Sequence, residues 1–172
     1  MLFHPKAQEE ERHAFQQQLA QQTNKPVVYI DESGFQEEMP RLYGYALRGQ
    51  RCFGRHTSTY QRRTNVIGAL LGKHLLTVSL FENNIDAEVF SIWVKQDLLP
   101  KLPSSSILIM DNAAFHKSVE MQAMIRIAGH TLLYLPPYSP DLNPIERKWA
   151  QAKSMQRKYE CNINELFANY IT

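Results

Sequence analysis

The chain has 172 residues, 44% of them hydrophobic, with 19 lysines and arginines against 17 aspartates and glutamates for a net charge of +2. That length suits one domain with a substantial core and is too short for two comfortable ones. No apolar run reaches membrane-spanning length and no signal peptide opens the chain, so the cytoplasm is the expected location.

Residues 7–22, rich in Gln, Glu and Ala with Phe15 and Leu19 four apart, predict a solvated helix with a narrow apolar face, either a linker or a packing arm. We take residues 1–24 as this helix and linker, and 25–172 as the domain. Val27 to Ile30 is a short β-rich run ending in Asp31 and Glu32. From Arg41 to Arg63 there are six arginines (41, 48, 51, 55, 62, 63) and no acid, whereas residues 1–40 hold seven acids against three bases. Gly44, Gly49 and Gly54 place this basic stretch on a loop or loose hairpin, where function tends to sit.

Residues 64–71 and 75–81 are β-rich runs joined by Gly72, Lys73 and His74, and predict a hairpin. Asp86 opens an amphipathic helix to about Leu99, with Val89, Phe90, Trp93, Val94 and Leu98 on one face and Pro100 and Pro103 stopping it. Ile107 to Met110 predicts a buried strand that ends in Asp111. A helix over 118–128, closed by Gly129, and a strand over 131–135 follow. Residues 143–159 predict a further helix, and 163–171 a short final one. Three early strands and then strand–helix alternation predict a mixed sheet with helices on its faces. Trp93 and Trp149 fall at apolar helical positions and read as core; Cys52 and Cys161 stand alone, without the spacing of a zinc site or disulfide framework.

The most informative segment is Leu135-Pro136-Pro137-Tyr138-Ser139-Pro140-Asp141-Leu142-Asn143-Pro144-Ile145-Glu146. Its four prolines stiffen the connection, each fixing its own φ and pushing the preceding residue into extended geometry. Asn143 reads as an N-cap and Pro144 as the first helical residue, which puts Glu146 at the third helical position. The same spacing describes a capping box, in which Glu146 would reach back to the N-cap amide. What favours chemistry is its company: two strands each end in an acid, Asp31 and Asp111. In open α/β sheets, strand ends and adjacent helix starts bind ligands. Three acids gathered there would repel one another without a cation, and hard divalent ions prefer carboxylate oxygen.

These residues resemble the DDE triad of mariner-superfamily transposases, most closely the bacterial insertion-sequence branch. Asp31 stands in Tyr-Ile-Asp-Glu-Ser-Gly-Phe, Asp111 in Ile-Met-Asp-Asn-Ala-Ala-Phe-His, and Glu146 in the proline-rich segment. Thirty-four residues separate Asp111 from Glu146, the interval typical of that group. The resemblance covers roughly residues 25–160. It implies a ribonuclease-H-like α/β fold with a mixed five-stranded sheet, two Mg2+ or Mn2+ ions held by Asp31, Asp111 and Glu146, and cleavage of transposon ends followed by joining to target DNA. Glu32 should face away from Asp31 if the strand continues through it, which makes it a supporting or surface acid. Asn112 and His116 could position a water or a phosphate, or serve only an Asx turn and a helix start.

Family members carry helix-turn-helix modules ahead of this domain, and 26 residues before the first strand are too few for one. The expectation is a catalytic domain whose DNA-binding region lies on a separate or missing segment, acting as a homo-oligomer on DNA. Arg48, Arg51, Arg55, Arg62 and Arg63, with Arg147 and Lys148 directly after Glu146, are the expected DNA contacts. For the basic residues after Glu146 the alternative is a helix C-terminus complemented by positive charge. The rival functions are a ribonuclease-H-like enzyme that only hydrolyses, and a non-catalytic remnant that regulates a full-length transposase.

Overall fold

The computed structural model describes residues 9–22, 24–37, 45–51, 63–169 and 171. Arg55, Arg62 and Cys52 lie outside the described residues.

The centre is a five-stranded sheet in the order β3-β2-β1-β4-β5. Strands β1 (Val27–Gln36), β2 (Arg63–Leu71) and β3 (His74–Phe81) form an antiparallel meander. Strands β4 (Ile107–Met110) and β5 (Thr131–Tyr134) then join β1 in parallel. The expected hairpin is present, turning at Gly72 with φ +62°, a backbone that glycine adopts without a steric penalty. β4 is buried along its whole length, as a parallel strand covered on both faces should be.

Side-chain alternation divides the sheet into two faces. Val28, Ile30, Leu108 and Met110 pack with Phe90, Trp93, Val94 and Leu98 and with Met121 and Ile125. Those residues come from helix α2 (Ala87–Trp93), the π turn Val94–Leu98 that continues it, and helix α3 (Val119–Ile127). On the other face Phe35, Val66 and Leu70 meet helices α4 (Ile145–Tyr159) and α5 (Ile163–Asn169) through Ile145, Trp149, Ala152, Ile163 and Leu166. Cys161 belongs to this cluster. Helix α1 (Glu9–Ala20) lies on the same face as α4, with Phe15 packed among Ile107, Ile109, Leu133 and Leu135. It packs on the domain through Phe15, as the packing-arm expectation has it.

Asp86 caps α2 by accepting from the Val89 amide at 2.9 Å. The helix does not stop before Pro100. It widens into the π turn and then tightens into a 3-10 turn over Leu99–Lys101, a change of pitch that accommodates a proline lacking an N–H. Ser118 and Gly129 bound α3 as expected, Gly129 at φ +84°.

The start of α4 corrects the expectation. Pro144 is the cap, no side chain caps the helix, and Glu146 is the second helical residue. Asn143 instead closes a 3-10 turn over Pro140–Leu142, its amide donating to the Pro140 carbonyl at 3.0 Å. That turn takes up the Asn143 amide, and the buried Asn143 side-chain oxygen has no hydrogen-bond partner among the described residues. The capping box therefore does not form, and the Glu146 carboxylate is not engaged in closing the helix.

Candidate active site

Asp31 and Asp111 are brought level by strand register. Val27 pairs with Ile107 and Tyr29 with Ile109, so the acids four residues beyond Val27 and Ile107 sit at one height on neighbouring parallel strands. Asp31, Asp111 and Glu146 all line a single cleft of about 430 Å³, together with Asn112, Asn143 and the segment from Leu135 to Pro140. Asp31 is buried, Asp111 half-buried and Glu146 exposed at the rim.

Trp149 sets the orientation of Asp31. Its Nε1–H donates to Asp31 Oδ2 at 3.1 Å while its ring fills the core under β2. A Cβ on Gly68, the residue opposite Asp31, would stand 2.5 Å from the Trp149 ring, so only glycine leaves room for the indole there. Burial, then the charges of Glu146 and Glu32, push the Asp31 carboxyl up to about 8. A carboxylate disfavoured to this degree is relieved either by a proton or by a cation.

Glu32 faces away from Asp31, as strand alternation requires, yet it is no isolated surface acid. The His116 ring is fully buried between Phe90 and Phe115, its centroid 4.4 Å and 4.1 Å from theirs. Its Nδ1 lies 2.7 Å from Asp111 Oδ1 and its Nε2 2.8 Å from Glu32 Oε1. Burial alone would lower the imidazole, but the two carboxylates more than offset it and raise His116 to about 9. With both ring nitrogens protonated, His116 is a buried cation bonded at each end. The same bond, together with the Ala113 amide at 3.0 Å, holds Asp111 below the usual carboxylate range. The turn after β4 is thus made by Asp111 itself, while Asn112 is exposed along the cleft.

Among the described residues no three His, Cys, Asp or Glu side chains are grouped tightly enough, as placed, to hold a metal ion. The donor set nevertheless fits a hard divalent cation: three carboxylates in one cleft, one of them destabilised by the charge of another. Of the expected DNA contacts, Arg48 and Arg51 are exposed. Arg63 begins β2 and spreads its guanidinium over Gly34. Arg147 and Lys148 occupy the first turn of α4, Arg147 exposed and Lys148 half-buried. The helix-terminus explanation therefore applies to Arg157 and Lys158 in the last turn, but not to Arg147 and Lys148.

One side chain, Trp149, and one contact between expected residues escaped sequence reasoning in this role. Trp149 follows Glu146 by three residues, a spacing that puts both on one helix face and could have suggested the contact. The bond between His116 and Glu32 had no such signal, since 84 residues separate them.

The first strand does not end at Asp31 as expected but runs on to Gln36, so Asp31 stands in the middle of β1, beside Asp111 just past the end of β4, with Glu146 at the start of α4. The mixed sheet is of the ribonuclease-H-like kind. The family model described as DDE superfamily endonuclease matches residues 26–165, and the chain belongs to that family. Among solved structures, the Mos1 transposase paired-end complex with left transposon end superimposes with a TM-score of 0.71 at 17% identity, over 91% of this chain and 52% of that chain. The mariner Mos1 paired end complex with Mg gives 0.70 at 18% identity, over 90% and 51%. The catalytic domain of Mos1 mariner transposase gives 0.58 at 14% identity, over 90% and 73%. At these identities the likeness is one of fold. The uncharacterized protein y4pE/y4sA of Sinorhizobium fredii is 41% identical over 44 residues, 26% of this chain and 30% of that protein. The chain spans about half the length of the transposase chains in the two paired-end complexes.

Proposed function

We propose that this chain is the catalytic domain of a mariner-type transposase, cutting DNA strands and joining them to a target. The observation that carries this reading is the single cleft lined by Asp31, Asp111 and Glu146, with the first two level on adjacent parallel strands. Asp31, Asp111 and Glu146 hold divalent metal, Mg2+ or Mn2+, Glu146 having the side-chain freedom of an exposed position to complete the set. The ions supply acidification of the attacking water and stabilisation of the departing 3′ oxygen. Trp149 keeps the Asp31 carboxylate turned into the cleft, and His116, backed by Glu32, keeps Asp111 ionised and oriented. Asn112, exposed beside Asp111, is placed to contact a phosphate or its water. No protein nucleophile is needed, because the freed 3′-hydroxyl attacks the target strand.

DNA is the substrate, and its backbone is gripped by Arg48, Arg51, Arg63, Arg147 and Lys148. Their placement supports this: a cation in the first turn of a helix opposes the helix dipole and gains from a phosphate nearby. Work on transposon ends takes place in a homo-oligomer in the cytoplasm, with end recognition by a helix-turn-helix region on another segment.

The test is nicking of supercoiled plasmid with Mg2+ or with chelator, for wild type and Asp111→Asn. Changes one step removed from a metal typically cost about 10–100-fold, so loss of a direct ligand should cost at least that. Full nicking by Asp111→Asn in Mg2+ would place the activity elsewhere. Supplying DNA with a free 3′-hydroxyl end then separates joining from hydrolysis, since only a transposase yields joined product.

A further inference from the structure

Helix α1 is tied by a long-range contact to the segment that borders the cleft. Arg12 makes two parallel hydrogen bonds to Asp141, Nη1 to Oδ1 at 3.0 Å and Nη2 to Oδ2 at 2.6 Å, across 129 residues of sequence. The arginine side chain is 11% exposed and the aspartate 25%, in a forked pair at the protein surface whose hold comes from its two-bond geometry and not from burial. The hydrogen bond holds Asp141 below the usual carboxylate range. Beside it, Phe15 and Leu19 pack with Leu135 and Leu142. The stiff segment 136–141 is thus tied to α1 by the pair at Asp141 and is flanked at Leu135 and Leu142 by the apolar cluster that α1 joins.

From Asp141 the chain has little freedom before the third acid. The Leu142 amide donates to Ser139 at 3.1 Å, the Asn143 amide to Pro140 at 3.0 Å and the Glu146 amide to Asn143 at 3.2 Å. These short-range bonds transmit the position of Asp141 to the first turn of α4. We propose that Arg12 and Asp141 are positioning residues: helix α1 braces the segment that delivers Glu146, and so sets how well the cleft holds a divalent cation. The effect on the cation rests on the reading of the cleft given above; the brace itself does not.

The experiment uses the full chain with Arg12→Ala, Asp141→Asn, and the reversed pair Arg12→Asp with Asp141→Arg. Amide hydrogen exchange is followed at Leu142, Asn143 and Glu146 and in β1 and β2, with Mn2+ binding measured in parallel. In each single variant the three amides should exchange about fivefold faster while the core strands are unchanged, and Mn2+ should bind about fivefold more weakly. The reversed pair should restore both. Unchanged exchange at the three amides, or a uniform acceleration across the sheet, overturns the brace. A wild type that binds no Mn2+ but shows this exchange pattern in its variants upholds the brace and removes the cation reading of the cleft.

Discussion

Asp31 and Asp111 are both aspartates in one cleft, yet their surroundings drive them apart. Asp31 is held at about 8 by burial and then by Glu146 and Glu32, whereas Asp111 is held low by the His116 hydrogen bond. Without metal, folded Asp31 keeps a proton that the unfolded chain releases near 3.8. Its contribution therefore favours folding at low pH and is lost as pH rises from about 4 to about 8. His116 acts with the same sign but higher up, its contribution being complete below 6.5 and lost as pH rises through about 9. Asp111 acts in the opposite sense, its contribution being lost as pH falls into the acid range. Between pH 5 and 6.5 Asp31 works against His130, whose imidazole is held low by burial and whose contribution rises with pH, so comparison with Asp31→Asn isolates Asp31. In chelator, the urea-unfolding stability of the wild type should fall across this window, relative to Asp31→Asn, by up to about 1.4 kcal/mol per pH unit. Equal slopes in the two proteins would remove Asp31 from the account.

At the scale of elements, helix α4 and strand β2 work as one part. Ile145 and Trp149 anchor α4 in the core, so Glu146 is carried at the rim by a helix that cannot rotate without dislodging the indole. Gly68 is the point where the strand lets that indole in. Gly68→Ala should cost about 1–3 kcal/mol of stability, the usual price of overpacking, and should also disturb the bond from Trp149 to Asp31. Urea unfolding reads the first effect and metal-dependent nicking the second. An unchanged midpoint would mean that the core absorbs the methyl group and that Gly68 has no such role.

Over the whole molecule the charge is arranged around an acidic cleft, with Arg147 and Lys148 beginning the same helix as Glu146 and with Arg48 and Arg51 exposed. A net charge of +2 is too small to bind DNA by bulk attraction, so the proposed grip on DNA depends on where the cations sit. Replacing Arg147 and Lys148 together by alanine should weaken binding to unrelated duplexes alike. It should also flatten the slope of log affinity against log salt by about two units, roughly one for each lost phosphate contact. Titration at a series of salt concentrations gives the slope. An unchanged slope would assign this pair to the protein's own surface.

Much of this was legible in the sequence because it is local. The alternation that sends Asp31 and Glu32 to opposite faces, the buried run before Asp111, the Ser118 cap and the glycine turns all depend on residues close together in the chain. That the three acids would share one cleft was legible too, since each stands in a recognisable run, although the strand that was expected to end at Asp31 runs on to Gln36. One local reading failed at Asn143, whose backbone is taken up by a 3-10 turn before the helix can use it as a cap. What only the tertiary structure decided are the contacts across long separations: Trp149 on Asp31, His116 between Asp111 and Glu32, and Arg12 on Asp141. A histidine or an arginine in sequence carries no mark of its partner. Its partner is chosen when strand register and helix packing bring distant segments together, and in the low-dielectric interior a charge must find a counter-charge or give up its ionisation.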